Sequence, residues 1–315
     1  MSLLEHPKAQ ALLADAEVSA QDVRGCRRRL ERFLQRYLPR FYRHEQRELA
    51  QVVLQGKLSQ LQRKTCEPIA YLADRQRKPL QHFVGAGLWD DEAVMAELRR
   101  HVAQEFADAD AVLVLDGSGF PKKGSASCGV ARQWCGRLGK VENCQVGVFL
   151  SYVTAAGYAP VDRQLYLPKD WAEDDKRRQQ THVAESVTFQ ESWRIGRTLL
   201  ERSAQALPFG WIAGDDEFGR CSALRAALRQ RGWRYVLDVP CNTLIRDLNE
   251  EPALGCRVPP WRRVEDWVKA SAVRALASLG AGRWRQGAEG AACLAVDGAD
   301  PGLGRPRRDL GEVGG

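Results

Sequence analysis

A short apolar run ending in a carboxylate and a glycine turn constrains this chain more than any other feature: Ala111-Val-Leu-Val-Leu-Asp116-Gly-Ser-Gly-Phe-Pro-Lys-Lys-Gly124. Five apolar residues, rich in Val and Leu, make too short a run for a helix and the right length for a buried strand. An acid at the end of such a strand is held rigidly at the rim of a sheet, a position that suits a metal ligand or catalytic group. A turn aspartate that caps a hairpin is the alternative. The pattern recurs at Gly210-Trp-Ile-Ala-Gly-Asp215-Asp216-Glu217-Phe-Gly219, where a second apolar strand again delivers acid to a glycine-flanked turn.

The residues around these two strands alternate between helical and strand periodicity. Before residue 110 the pattern is helical. Cys26, Leu30, Phe33, Leu34, Tyr37 and Leu38 form one apolar stripe, and Pro39 stops the helix. Arg27, Arg28, Arg29, Arg32 and Arg36 occupy much of the remaining surface. Further helices are expected over Arg43–Leu54, Leu58–Arg63, Ile69–Arg75 and Leu80–Val84, and from Asp90-Asp91, which cap a helix, to Phe106. Short helices with basic faces are consistent with a helix-turn-helix type of DNA reader, although no recognition helix stands out.

After residue 110 come strands at Val112–Leu115, Cys128–Trp134, Val146–Thr154 and Val161–Leu167. A polar stretch (168–182) leads to a helix over Glu191–Ala206, a strand at Trp211–Ala213, a helix at Ser222–Arg231 and a strand at Tyr235–Val239. Consecutive strands followed by alternating helix and strand predict an α/β fold with helices packed on a mixed sheet. The Asp174–Arg178 run reads as a solvated loop. Trp134, Trp171 and Trp211 read as packing residues rather than base-stacking platforms. Glu142, Asn143 and Gln145 read equally as turn builders or as DNA contacts.

Charge narrows the partner. The net charge is +7, and between Arg24 and Lys78 there are 15 Lys/Arg against 5 Asp/Glu. That local excess is a footprint for nucleic acid, or else a solvated helical face. No run of about 18 apolar residues occurs and the N-terminus lacks a basic-then-apolar leader, so the expectation is a cytoplasmic protein with no membrane association. Nine cysteines show no Cys-x-x-Cys and no zinc spacing, which predicts free thiols.

The tail differs from the rest: 20 of the last 46 residues are Ala or Gly, with neither helical nor strand periodicity. It reads either as a disordered segment or, preferably, as translation out of frame in a GC-rich gene. The expected organisation is a helical, basic, DNA-binding region over 1–107, a catalytic core over 108–270, and the tail over 271–315.

If the strands carrying Asp116 and Asp215 are neighbours, two hard oxygen ligands meet at one rim and would suit Mg²⁺ or Mn²⁺. Such ions support phosphoryl transfer on a nucleic acid. Lys122 and Lys123, just beyond, are candidates for pairing with DNA phosphates. A haloacid-dehalogenase-type phosphatase would need an acid at position 118, which is Ser.

At this point Asp116-x-Ser-Gly-Phe-x-Lys-Lys-Gly124, Gly129-Val-x-Arg-Gln-Trp134, Gly139-Lys-Val-Glu-Asn-Cys-Gln-Val-Gly147, Leu165-Tyr-Leu-Pro-Lys-x-Trp171 and Gly214-Asp-Asp-Glu-Phe-Gly219 together resemble, in order, the signatures of DDE-type transposases of bacterial insertion sequences. The resemblance covers roughly residues 25–267. It implies an RNase H-like core with flanking helices behind a helical DNA-binding region. It further implies a Mg²⁺ (or Mn²⁺) site built from two Asp and one Glu, and cleavage and strand transfer at element ends. The implied partners are double-stranded DNA, as terminal repeats and target, and a second copy in a homodimer; the implied location is the bacterial cytoplasm, at the nucleoid. Asp116 matches the first catalytic Asp and Asp215 the second, with Asp216 a neighbouring candidate. No residue matches the late Glu, and Glu265 comes too early. The core is therefore expected to be incomplete at its C-terminal end, and cleavage impaired. The alternative function is a non-catalytic DNA-binding protein that occupies element ends and regulates transposition. An RNase H-like nuclease with another task is a third reading.

Overall fold

The computed structural model describes residues 19–246, 259–275, 291–296 and 312–313, together with Gln10, Ala14 and Arg257. The chain divides into two compact units, Met1–Leu98 and Arg99–Gly315.

The first unit is helical: α1 (Ala20–Tyr37), α2 (His44–Leu58), α3 (Cys66–Leu72), α4 (Arg77–Gly85) and the start of α5 (Asp91–Phe106). Ser19 caps α1 in a reciprocal box with Asp22, and a 3₁₀ turn containing Pro39 closes it. Ile69, Ala70 and Leu80 form the core, packed by Leu49, Val52, Val53, Leu61 and Cys66. Phe41, Phe83 and Trp89 make a second aromatic cluster, with ring centroids 5.3–5.8 Å apart. The helix expected over Leu58–Arg63 does not form. Ser59 instead folds a turn, donating from Oγ to the Gly56 carbonyl and accepting from Leu61 N–H.

The second unit is a mixed sheet with helices packed on it, as an RNase H-like fold requires. Its strands are β1 (Val112–Pro121), β2 (Ala131–Cys135), β3 (Lys140–Thr154), β4 (Gly157–Leu165), β5 (Trp211–Gly214), β6 (Tyr235–Pro240) and β9 (Ala291–Val296). Their order is β2-β3-β1-β5-β6-β9, with β4 also paired to β3. β1, β5 and β6 are parallel neighbours, and β1, β3 and β4 form an antiparallel meander. The helices are α6 (Lys169–Ala172), α7 (Asp175–Gln180), α8 (Ser192–Ala204), α9 (Asp216–Gly219), α10 (Ser222–Gln230) and α11 (Val264–Ala275). Two short strands, β7 (Leu244–Arg246) and β8 (Arg262–Arg263), pair with β10 (Glu312–Val313) in a separate small sheet.

Along β1 the burial alternates. Leu113, Leu115 and Gly119 are buried, whereas Val112, Val114, Asp116, Ser118 and Phe120 point to the other face. Ile195, Leu199 and Leu200 of α8 are buried on the core side. Also buried is Asp162, whose carboxylate receives Arg202 Nε at 2.7 Å and Nη2 at 2.6 Å, with Arg99 Nη1 at 3.2 Å.

The Asp174–Arg178 run is not a loop: Asp174 caps α7, and Arg178 donates to the carbonyls of Ala172, Ala184, Glu185 and Val187, pinning the segment that follows. Trp134 is not a packing residue; it is 56% exposed. Trp171 is buried, as expected, and donates Nε1 to the Val130 carbonyl at 2.7 Å. Of the cysteines described, Cys135 and Cys144 are buried, Cys26 is exposed, and all are free thiols. Most of the 271–315 tail lies outside the described residues, but Ala291–Val296 pairs antiparallel with β6 from Tyr235 to Pro240. No helix among the described residues is long and apolar enough to cross a membrane.

Candidate catalytic site

The parallel ladder between β1 and β5 ends at the pair Leu115–Gly214. The next residue on each strand is the acid singled out from the sequence, Asp116 and Asp215. Adjacent strands lie about 4.8 Å apart, so the two backbones deliver their carboxylates side by side at one rim.

Local packing fixes Asp215. Its side chain accepts the Glu217 N–H at 3.1 Å and caps the single turn of α9. Phe218, fully buried, anchors that turn: a Cβ on Gly196 would stand 3.0 Å from its ring and 3.3 Å from Leu115. Gly219 is required because α9 rides directly on β6. A Cβ there would collide with the Asp238 carbonyl oxygen. Buried Arg225 donates to the Gly219 carbonyl and closes the turn. Asp216 points elsewhere, pairing with Arg220 one turn on.

The electrostatics are those of crowded acids. Partial burial raises Asp116, with the Gly117 N–H holding it back. Burial, then the charges of Glu217, Asp116 and Asp216, push Asp215 up to about 6. Glu217 also approaches the strand itself: a Cβ on Gly117 would stand 3.0 Å from its Oε2, so the glycine leaves that carboxylate room. Tyr166 lies at the same rim. Burial raises its phenol, and the carboxylates of Glu217 and Glu191 raise it further, while its ring meets Phe189 edge-on at 6.2 Å. Neither Glu217 nor Tyr166 was singled out from the sequence, where each is one member of a motif; only the register and the charge coupling bring them to the site.

The donor chemistry fits a hard divalent cation in part. Asp116 and Asp215 supply oxygen ligands that Mg²⁺ or Mn²⁺ prefers, and such ions keep several waters. Among the described residues no group of three His, Cys, Asp or Glu is set to hold a metal. Glu265, the early candidate, is engaged with Arg263 at 3.4 Å and Lys269 at 3.8 Å.

Lys122 and Lys123 are exposed just past the end of β1. Asn143 holds this loop, donating Nδ2 to the carbonyls of Lys122 at 2.7 Å and Gly124 at 3.0 Å, and Gln145 donates to Cys128. Both side chains are turn builders. In the first unit, Arg28 and Arg32 are exposed on α1, Arg27 pairs with Glu31 at 2.8 Å, Arg29 donates to the Asp22 carbonyl at 2.8 Å, and Arg36 is partly buried.

A mixed sheet with helices on it, and two acids side by side where the parallel β1–β5 ladder ends, is the arrangement of a nuclease-type core. The family model for DDE superfamily endonucleases matches residues 36–288, and the chain belongs to that family. It is also similar to a protein of Microchaete diplosiphon described as a probable transposase for insertion sequence element IS701, with 32% identity over 132 residues, 41% of this chain and 34% of that protein. The matched part thus spans about a third of that relative's length.

Proposed function

We propose that the chain acts as an insertion-sequence transposase: it binds double-stranded DNA at element ends and cleaves and joins it by metal-assisted phosphoryl transfer. The observation that carries this reading is the position of Asp116 and Asp215, each one residue past the last pair of the parallel β1–β5 ladder, in a chain of this endonuclease family. In this reading Asp116 and Asp215 hold Mg²⁺ or Mn²⁺. When bound, the ion lowers the pKa of the attacking water or 3′-hydroxyl and stabilises the leaving oxygen.

The chain's own residues set the geometry. The β1–β5 ladder fixes the spacing of the two acids. Glu217 N–H and the buried Phe218 orient Asp215. The pairing of Asp216 with Arg220 supports Asp215, not Asp216, as the second ligand. Lys122 and Lys123 attract DNA phosphates beyond the site, and the arginines of α1 (Arg27, Arg28, Arg29, Arg32, Arg36) add a basic helix to the first unit as a DNA-binding region. That no three His, Cys, Asp or Glu are grouped to hold a metal among the described residues supports impaired cleavage, and with it the second reading, a non-catalytic occupant of element ends.

Nicking of supercoiled plasmid in Mg²⁺, compared with EDTA and with Asp116→Asn, tests the proposal. Metal-dependent nicking lost in the variant, with duplex binding retained, is the expected result. Retained nicking refutes the metal role of Asp116. Binding without metal-dependent nicking in the parent protein favours the second reading.

A further inference from the structure

The face of the sheet that carries Asp116 continues well past the carboxylates. Asp116 pairs with Phe149 of β3, and the register then runs without a break to Pro121 and Cys144. On β3 the residues that share the face of Phe149 are Gly147, Gln145, Asn143 and Val141. Asn143 pairs with Arg132 and Val141 with Trp134 on β2. Arg132 and Trp134 therefore lie on the same face as Asp116, on a ribbon that overhangs the end of β1. The ribbon curls back toward β1, because Cys135, the neighbour of Trp134, lies against Gly119, three residues past Asp116.

This overhang has an unusual surface. Trp134 is 56% exposed, Val141 51% and Leu138 44%, all at its tip. Around them the segment 121–142 carries Lys122, Lys123, Arg132, Arg137 and Lys140 against one acid, Glu142, a net charge of +4. The other face is closed, with Cys135 and Cys144 buried and Cys135 tight against Gly119. The Trp134 ring is therefore not needed to cover a core. A cationic two-stranded ribbon with an exposed indole fits a groove of duplex DNA, where the cations meet phosphates and the indole packs on sugar or base.

We propose that the β2–β3 ribbon is a DNA arm, which contacts the bound duplex within one helical turn of the scissile phosphate, with Trp134 as its anchor. The inference rests on the reading of DNA as the substrate, and it commits to a duplex because the ribbon sets clustered positive charge around an exposed indole. A second copy of the chain is the competing occupant.

The test measures binding of a fluorescent 40-base-pair duplex of arbitrary sequence to the full chain in EDTA, across a salt series. Trp134→Ala is expected to weaken binding five- to tenfold with an unchanged salt slope, and Trp134→Phe to stay within twofold of the parent. Arg132→Ala with Arg137→Ala is expected to reduce the slope by about two, one for each lost phosphate contact. Equal binding by the parent and Trp134→Ala overturns the arm while leaving DNA as substrate. A loss of self-association in Trp134→Ala, read by mass photometry without DNA, with unchanged affinity for the duplex, overturns it in favour of a second copy. No duplex binding by the parent removes the underlying reading as well. Unaltered circular dichroism and melting temperature in Trp134→Ala show that the fold is intact, as expected for an exposed side chain.

Discussion

Asp116 and Asp215 each stand one residue beyond Leu115 and Gly214, the last pair of the parallel ladder between β1 and β5. That single pairing converts two acids 99 positions apart in sequence into neighbours at one rim. Their mutual repulsion, with Glu217 and Asp216 adding to it, is a source of positive-ion affinity built into the backbone.

Replacement of either acid tests this directly in the reaction. Asp116→Asn and Asp215→Asn should each lower metal-dependent nicking by about a thousandfold, several kcal/mol of lost charge stabilisation. Duplex affinity in EDTA should not fall, because neither acid contacts phosphate without metal. A filter-binding assay beside the nicking assay separates the two effects.

Asp215 also makes the metal-free protein pH-sensitive. Its carboxyl is raised to about 6, so the folded chain holds the proton more tightly than the unfolded chain. The stabilisation from this group is fully present below the ordinary carboxylate pKa and is lost as pH rises through about 6. After allowance for solvent screening, the loss is about 1 kcal/mol. Melting curves in EDTA should show Asp215→Asn gaining on the parent between pH 5 and pH 8. Magnesium should raise the parent's melting temperature more at pH 8 than at pH 5.

Gly219 is the steric hinge of the site. Gly219→Ala places a methyl group onto the Asp238 carbonyl, so α9 must lift from β6. A cost of about 2–3 kcal/mol is expected, read as a lower urea midpoint, together with weaker metal-dependent nicking because Asp215 moves with the turn.

The buried ion cluster of Asp162, Arg202 and Arg99 is a stability element two strands away from Leu115. Asp162→Ala leaves a buried and a half-buried guanidinium facing each other without their anion. Urea unfolding should show a loss of about 3–5 kcal/mol.

How much of this was legible in the sequence depends on the type of signal. Asp116 and Asp215 were visible because an apolar run that stops at an acid is a local pattern. The α5 and α8 helices were visible for the same reason. The length of β1 was not: Gly117, Ser118 and Gly119 are poor strand formers, and only pairing with Val146–Val148 of β3 carries the strand on to Pro121. Trp134 could not be placed, because a tryptophan in a short strand looks the same whether its face is covered or open. Arg178 looked like solvated charge because its acceptors, the carbonyls of Ala184, Glu185 and Val187, belong to a segment with no periodicity of its own. The pairing of Ala291–Val296 with β6 was equally hidden, since an Ala-rich run gains strand character only from its neighbour.

The most direct measurement of the central claim is affinity cleavage with Fe²⁺ substituted for Mg²⁺, in ascorbate and peroxide, followed by peptide mapping. A cation held jointly by the two acids predicts backbone cuts beside both Asp116 and Asp215, suppressed by excess Mg²⁺ and absent in Asp116→Asn. Cuts at neither residue, or at one of them without the other, would contradict a shared metal site.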